Sequence, residues 1–451
     1  MRFHRISFSG TVFNRMVANI RHHTFGNLAA LVSPMLAMLL AATATAAPSK
    51  QVEFWTMQLS PFHDAYVQGV IAGFERENPD IKVKWVDIPW SEMERKTLTS
   101  IAAKSAPDVV NLNPQFSSKL AEFGALASPD GYLTKAEIAS YVQPAWRGNQ
   151  LNGKTFALPW YLNTNVILYN KEIFAKAGVK VPETFDELLV AARQIKARTG
   201  SYTYFPPLDG SAPLEAMVAM GGAVLSANGC APGFVAKRAG QSGTGENIFN
   251  YYRSLYQEGL VPKNVVTEGH RKSVEMFLSG QVAMITTGMQ FLQTIKTSNP
   301  SFYPNVGVAA QMGFVRDGKI TRRANIAAMN VAVLQSSKDV TSAFAFAKYV
   351  TNTQSQMALA KRAPILPSTN ASYGDPFFTE VSADATVNQA RTLSIAQVQD
   401  GDVLVPPMLN YNKFRASYVR NLQAVMLNKK TVAQGLDDIE KSWTPLLGCK
   451  P

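Results

Sequence analysis

Residues 52–86 read VEFWTMQLSPFHDAYVQGVIAGFERENPDIKVKWV, and the hydrophobic period changes twice within them. Val52 and Phe54 flank Glu53 with the two-residue alternation of a strand. Val67, Val70, Ile71 and Phe74 then fall at i, i+3, i+4 and i+7, one face of an amphipathic helix. Asn78-Pro79-Asp80 ends that helix, and Ile81, Val83 and Trp85 alternate again. Strand, helix and strand in this order predict a parallel crossover, and hence an α/β fold with a doubly wound sheet.

The same reading continues outward. Ser91 and Glu94 have the spacing of a capping box at the next helix start, and Ala106 to Asn111 reads as a short buried strand. Thr184 and Glu187 form a second capping box, ahead of a helix whose face carries Phe185, Leu188, Leu189, Ala192 and Ile195. Val282 to Thr286 is a short apolar strand that ends near Gly288, and Asp317-Gly318 has the chemistry of a hairpin turn. Helical periodicity returns from Thr341 to Ala360, and the last hundred residues read mostly as helix. No Pro/Gly/Ser-rich linker divides the chain, so two domains must be joined by short crossings.

The chain has 451 residues, enough for two cores, with an ordinary balance of 46% hydrophobic and 17% charged residues. Its first 46 residues read differently. Arg2, Arg5, Arg15 and Arg21 precede an apolar run from Leu28 to Ala42, which ends in the small-residue sequence Ala44-Thr45-Ala46. That run is interrupted by Pro34 and is shorter than a membrane span, so residues 1–46 are expected to be a cleaved signal peptide. No cysteine lies near the expected cleavage site, which speaks against a lipoprotein anchor. The 44 basic residues less those four arginines leave 40 against 32 acidic ones, a net charge of +8. The basic residues are scattered rather than clustered with aromatics, so nucleic acid is not expected as a partner. Cys230 and Cys449 suit an oxidising compartment, but their sequence positions leave open whether they pair.

Catalytic signatures are few. Gly148 to Thr155 fits the pattern G-x-x-x-x-G-K-[ST], yet β-like, proline-containing sequence follows where a phosphate loop requires a helix. Asn152-Gly153 reads instead as a hairpin turn. Of five histidines only His63 and His270 lie beyond the expected signal peptide, and they have no metal-ligand spacing. No catalytic residue, metal site or cofactor is expected.

Four stretches in order give the chain a family resemblance: residues 52–86, residues 153–196 (GKTFALPWYLNTNVILYNKEIFAKAGVKVPETFDELLVAARQIK), residues 277–288 (FLSGQVAMITTG), and AMNVAVLQSSKDVTSAFAFAKYVTN with LAKRAPILPSTN within residues 328–370. In these the chain resembles the extracellular solute-binding proteins of carbohydrate ABC importers, the group that includes maltose-binding protein. The resemblance implies two doubly wound α/β lobes joined by a hinge of several crossings, the periplasmic-binding-protein type. It implies an N-terminal lobe of residues 47–160 and 326–364, and a C-terminal lobe of residues 161–325 and 365–451. A monomeric periplasmic protein is implied, which takes a mono- or oligosaccharide and hands it to the membrane subunits of an ABC permease. The alternatives are a binding protein for glycerol-3-phosphate or another sugar phosphate, and an exported carbohydrate-active enzyme.

A sugar site needs aromatic faces for the ring and planar polar groups for its hydroxyls. Strand ends and crossings supply Met57 and Gln58, then Asn113, Gln115 and Phe116, then Trp160, Tyr161 and Asn163. Further candidates are Gly288, Met289, Gln290, Met329, Asn330 and Arg362. By the resemblance Asn113, Gln115, Asn163 and Gln290 point into the cleft, with amides where maltose-binding protein has carboxylates and Gln290 where it has an aromatic. The other reading of each amide is a turn or cap. Arg362 would either pair with an anionic group in the cleft or complement a helix end.

Overall fold

The computed structural model describes residues 50–235 and 243–449; the expected signal peptide lies outside the described residues. The first strands are β1 (Lys50–Met57), β2 (Ile81–Ile88) and β3 (Val109–Leu112). A hairpin of β4 (Gln150–Leu151) and β5 (Lys154–Thr155) follows, then β6 (Leu158–Asn163) and β7 (Asn165–Asn170). Next come β8 (Tyr202–Tyr204), β9 (Val282–Gly288) and β10 (Val306–Ala309). A second hairpin, β11 (Phe314–Arg316) and β12 (Lys319–Thr321), precedes β13 (Ala327–Val333) and β14 (Leu366–Pro367).

These strands make two principal sheets. The first has the order β14-β6-β13-β3-β1-β2 and the second β10-β7-β9-β8. Strand β1 pairs parallel with β2 and β3, as the opening sequence predicts. The chain passes from the first sheet to the second between β6 and β7, and back before β13. It leaves again after β14 for the C-terminal helices, which pack on the second sheet's core. Three crossings therefore join two α/β lobes. Strand β6 runs to Asn163, and both it and β14 lie in the first sheet.

Alternation along the strands explains why helices cover both faces of the first sheet. Val52, Phe54, Val109, Val331 and Val333 face one core, which they share with the helices Asp64–Glu77 and Val340–Val350. Met57, Val110, Leu112 and Ala332 face a second core, on the side of the helices Trp90–Ala102 and Pro114–Glu122. The first core is aromatic. Phe346 meets Phe54 and Phe74 edge-on, each with ring centroids 5.1 Å apart. Such pairs contribute about 1 kcal/mol each beyond the area they bury.

Local expectations are mostly met. Asn152 and Asp317 take positive φ at the tips of the two hairpins, so the Gly148–Thr155 stretch is a β-turn unit and not a phosphate loop. Two differ. The helix expected to start at Ser91 starts at Trp90 behind Pro89, with no side-chain cap, because Pro89 has no side-chain acceptor and Ser91 falls inside the helix; Glu94 pairs with Lys119 at 2.5 Å. At the second box Thr184 accepts the Glu187 N–H, but the Glu187 carboxylate takes the Glu183 N–H instead of closing the box. Cys230 and Cys449 form a disulfide, which sequence leaves open.

A buried polar node fixes the short edge strand β14. The Gln356 amide, 0% exposed, donates to the Thr351 carbonyl at 2.6 Å and accepts the Ser368 N–H at 2.5 Å. Ser368 Oγ donates to the Pro159 carbonyl at 2.7 Å, tying the node to β6. Replacing Gln356 by Ala strands buried backbone groups at both ends of the amide. The expected loss is about 2 kcal/mol in urea unfolding; an unchanged midpoint would mean water replaces the amide.

Candidate ligand-binding site

Strands β8 and β9 pair in parallel, so their carboxyl ends open on the same side. There the second lobe holds a cavity of ≈ 400 Å³. Thr286, Thr287 and Gly288 line it from the end of β9, with Gln290 and Phe291 from the turn beyond. Tyr204 and the segment Pro206 to Ser211 line it from the end of β8. Phe185 and Tyr252 add aromatic surface, and Asn165 and Asn325 come from the two crossings. This is where doubly wound sheets bind ligands, beyond the carboxyl ends of their strands. The lining has the mixture a polyhydroxylated ring requires, flat apolar faces beside amides and hydroxyls.

Second-lobe packing sets the polar groups. Asp209 Oδ1 accepts the His270 N–H at 3.0 Å, and Gly269 leaves room for this carboxylate, because a Cβ there would collide with it. The His270 ring packs edge-on to Phe291, centroids 5.4 Å apart, with Nε2 3.4 Å from Thr287 Oγ1. Burial holds the imidazole pKa below its usual value, against the opposing pull of Asp209. Glu215 lies in the first turn of the helix Ala212–Ala219. Burial pushes its carboxyl above the usual range, and the Ser211 hydroxyl only opposes this. Gln290 Oε1 and Tyr411 Oη are buried and unpartnered. Gly288 makes space for Gln290, since a Cβ would strike the amide oxygen.

A smaller compartment of ≈ 50 Å³ lies between the lobes. Gln115 and Ser118 reach it from the first lobe, and Ser211, Glu215, Asn325 and Tyr411 are shared with or adjoin the larger cavity. Hydrogen bonds to side chains span the lobes, beside the Arg147–Asp402 ion pair at 3.8 Å. Gln115 Nε2 donates to Ser211 Oγ at 3.1 Å, and the Asn410 N–H donates to Glu122 Oε1 at 3.3 Å. The crossings are themselves pinned. Gln311 and Gln397 each donate from Nε2 to the Asn165 carbonyl at 2.9 Å, and Asn325 Oδ1 accepts the Leu404 N–H at 3.0 Å.

Residues 60–357 match the family of bacterial extracellular solute-binding proteins. The chain belongs to that family. A candidate binding protein of Brucella abortus (strain 2308) is 27% identical over 278 residues, 60% of this chain and 65% of that one. The match therefore spans just under two thirds of that relative's length. The multiple sugar-binding protein of Streptococcus mutans is 26% identical over 303 residues, 64% of this chain and 68% of the relative. A solved candidate oligosaccharide periplasmic-binding protein from Synechococcus sp. MITs9220 superposes with a TM-score of 0.79 at 30% identity, covering 88% of this chain and 98% of that one. The relatives are binding proteins, and the family's compartment is extracellular or periplasmic. No helix among the described residues is long and apolar enough to cross a membrane.

Three of the expected ligand residues line the two compartments: Gln115, Gly288 and Gln290. The others sit elsewhere. Gln58, at positive φ on the exposed rim beyond β1, accepts the Trp90 N–H at 3.2 Å. Asn113 caps the helix Pro114–Glu122 by accepting the Phe116 N–H at 2.8 Å. Trp160 is 0% exposed in the first lobe's aromatic core, where its position on β6 points it at the helix-covered face. Tyr161 packs against the cores on both faces of that sheet, and Asn163 ends β6 opposite Ala327. Met57, Phe116 and Met329 are core residues, and Met289 packs at the core's edge. Asn330 is buried, with Nδ2 donating to Ser117 Oγ at 2.8 Å. Arg362 is the helix-end case, donating to the Ala358 carbonyl at 3.0 Å at the end of the helix Thr353–Ala360.

Tyr204, Asp209, Glu215, His270 and Phe291 were not singled out from sequence. The usable signal was the segment Pro206-Pro207-Leu208-Asp209-Gly210-Ser211, a turn-rich run between a strand and a helix. The strand ahead of it has only three residues and carries no clear period.

Proposed function

We propose that this protein captures a saccharide between its two lobes, returns it chemically unchanged, and delivers it to the membrane subunits of an ABC permease. The lobes would divide at the three crossings, near residues 164, 326 and 375–384. The observation that carries the reading is the ≈ 400 Å³ cavity at the carboxyl ends of β8 and β9, walled by Tyr204, Tyr252, Phe185 and Phe291, with Ser211 at its edge bonded by Gln115 of the first lobe. The names of relatives support it: a multiple sugar-binding protein in S. mutans, a diacetylchitobiose-binding protein in Streptomyces coelicolor and a maltotriose-binding protein in Pyrococcus abyssi. A sugar phosphate fits less well. Neither compartment has a lysine or arginine in its lining among the described residues, while Asp209 and Glu215 are present.

A thermal-shift screen across mono- and oligosaccharides, with glycerol-3-phosphate included, tests the reading. A saccharide at a hundred times its Kd should add about 2.7 kcal/mol to the stability of the native state. The same ligand should reduce the radius of gyration in solution scattering, since closure requires differential affinity for the closed form. Ligand recovered unchanged after incubation separates capture from hydrolysis. A shift only with glycerol-3-phosphate, or consumption of a glycoside, would replace this reading with one of the alternatives.

A further inference from the structure

We propose that Glu215 is a counter-ion for a positively charged group on the ligand, so that the site prefers an amine-bearing saccharide to its uncharged counterpart. The proposal rests on the saccharide reading above and sharpens it. Glu215 stands where the two compartments meet and contributes to the lining of both. Among the described residues no lysine, arginine or histidine forms an ion pair with it, nor with Asp209 at the exposed mouth of the larger cavity. The Arg415 guanidinium, outside the lining, donates to the Gly210 carbonyl at 3.3 Å. His270 does not supply the charge, because burial keeps its imidazole neutral-leaning.

A carboxyl drawn out of water with no cation beside it is held toward its neutral form, and a positive group arriving next to it restores the charge. Glu215 is half-buried with only the Ser211 hydroxyl bonded to it, and its carboxyl is pushed above the usual range in a protein whose overall balance is basic, so the acidity of the cavity is local and not a reflection of composition. Two buried polar atoms without partners lie in the lining, one in each of the compartments that Glu215 joins. Tyr411 Oη and Gln290 Oε1 are buried, lack partners and belong to residues that line the compartments. An ammonium group brings three donors and one charge, which suits a carboxylate flanked by neutral acceptors. The ring faces of Tyr204 and Phe291 add cation-attracting surface to the same cavity. An uncharged ring could satisfy the acceptors through its hydroxyls but would leave the carboxyl held toward its neutral form.

Titration calorimetry on matched pairs decides this: glucose with glucosamine, galactose with galactosamine, and cellobiose with chitobiose, the amine member protonated. In wild type the amine member of a binding pair is expected to bind at least tenfold more tightly. In Glu215→Gln, which keeps the side chain's shape, that advantage should fall below about twofold, while Glu215→Asp should retain part of it. Should the Gln variant not fold, the wild-type comparison is decisive alone. A neutral member binding as tightly as its amine overturns the counter-ion role and leaves the saccharide reading standing. Failure of every member of both series, and of a wider neutral saccharide panel, overturns both.

Discussion

Replacing Trp160 by Ala is expected to cost the ligand-free protein about 3–5 kcal/mol of stability, with saccharide affinity changed by less than about threefold in the molecules that fold. The indole is fully buried and packs against β1 and the first helix, Asp64–Glu77. It meets Phe54 edge-on with centroids 6.3 Å apart, stacks on Tyr66 at 6.4 Å, and touches Tyr161 at 5.3 Å. Truncation removes the apolar transfer energy of a large side chain and leaves a cavity that a sheet flanked on both sides cannot collapse to fill. It also releases Tyr66, whose phenol burial holds well above its usual pKa and whose hydroxyl lies beside the indole. Urea unfolding of the apo protein and calorimetric titration of the variant separate the two possibilities. A tenfold affinity loss with an unaltered apo midpoint would return Trp160 to the binding site.

Loss of the Cys230–Cys449 disulfide is expected to cost about 4–5 kcal/mol. The bond joins residues 219 apart, closing a loop that includes most of the second lobe's helices. Cross-linking restricts the unfolded chain more than the folded one, and a loop this long lies toward the upper end of that effect. The folded tail is held in other ways as well. Trp443 is 0% exposed and packs on Phe234 and Phe414, so removing the bond should lower stability without releasing the last helix, Val432–Trp443. Reductant should therefore shift the unfolding midpoint of the wild type and leave the double variant Cys230→Ser/Cys449→Ser unmoved. Equal midpoints for wild type and double variant under oxidising conditions would show that the cross-link contributes nothing.

Much of the fold is legible in the sequence because secondary structure leaves a local periodic record. Val52, Phe54, Ile81, Val83 and Trp85 mark strands, and Val67 to Phe74 mark a helix, without reference to anything distant. Turn chemistry is equally local, and Asn152-Gly153 and Asp317-Gly318 both sit at hairpin tips. Capping is less so. The Ser91/Glu94 pattern fails because the helix begins at Trp90 with Pro89 at its cap, leaving Ser91 inside the first turn.

The sequence by itself determined the order of strands and helices, the α/β class, the need for short crossings between lobes, and the rim on which Gln115, Gly288 and Gln290 lie. Tertiary structure alone decided which side chains on that rim meet. Trp160 and Asn330 occupy promising positions near strand ends, yet the direction each faces depends on which helices cover the sheet. Tyr204, Glu215, His270 and Phe291 come from segments separated by up to 87 residues, and no window of sequence holds them together. The pairing of Cys230 with Cys449 is of the same kind. A period is a property of neighbours along the chain, whereas a cavity or a cross-link depends on separations in space that only the packed lobes define.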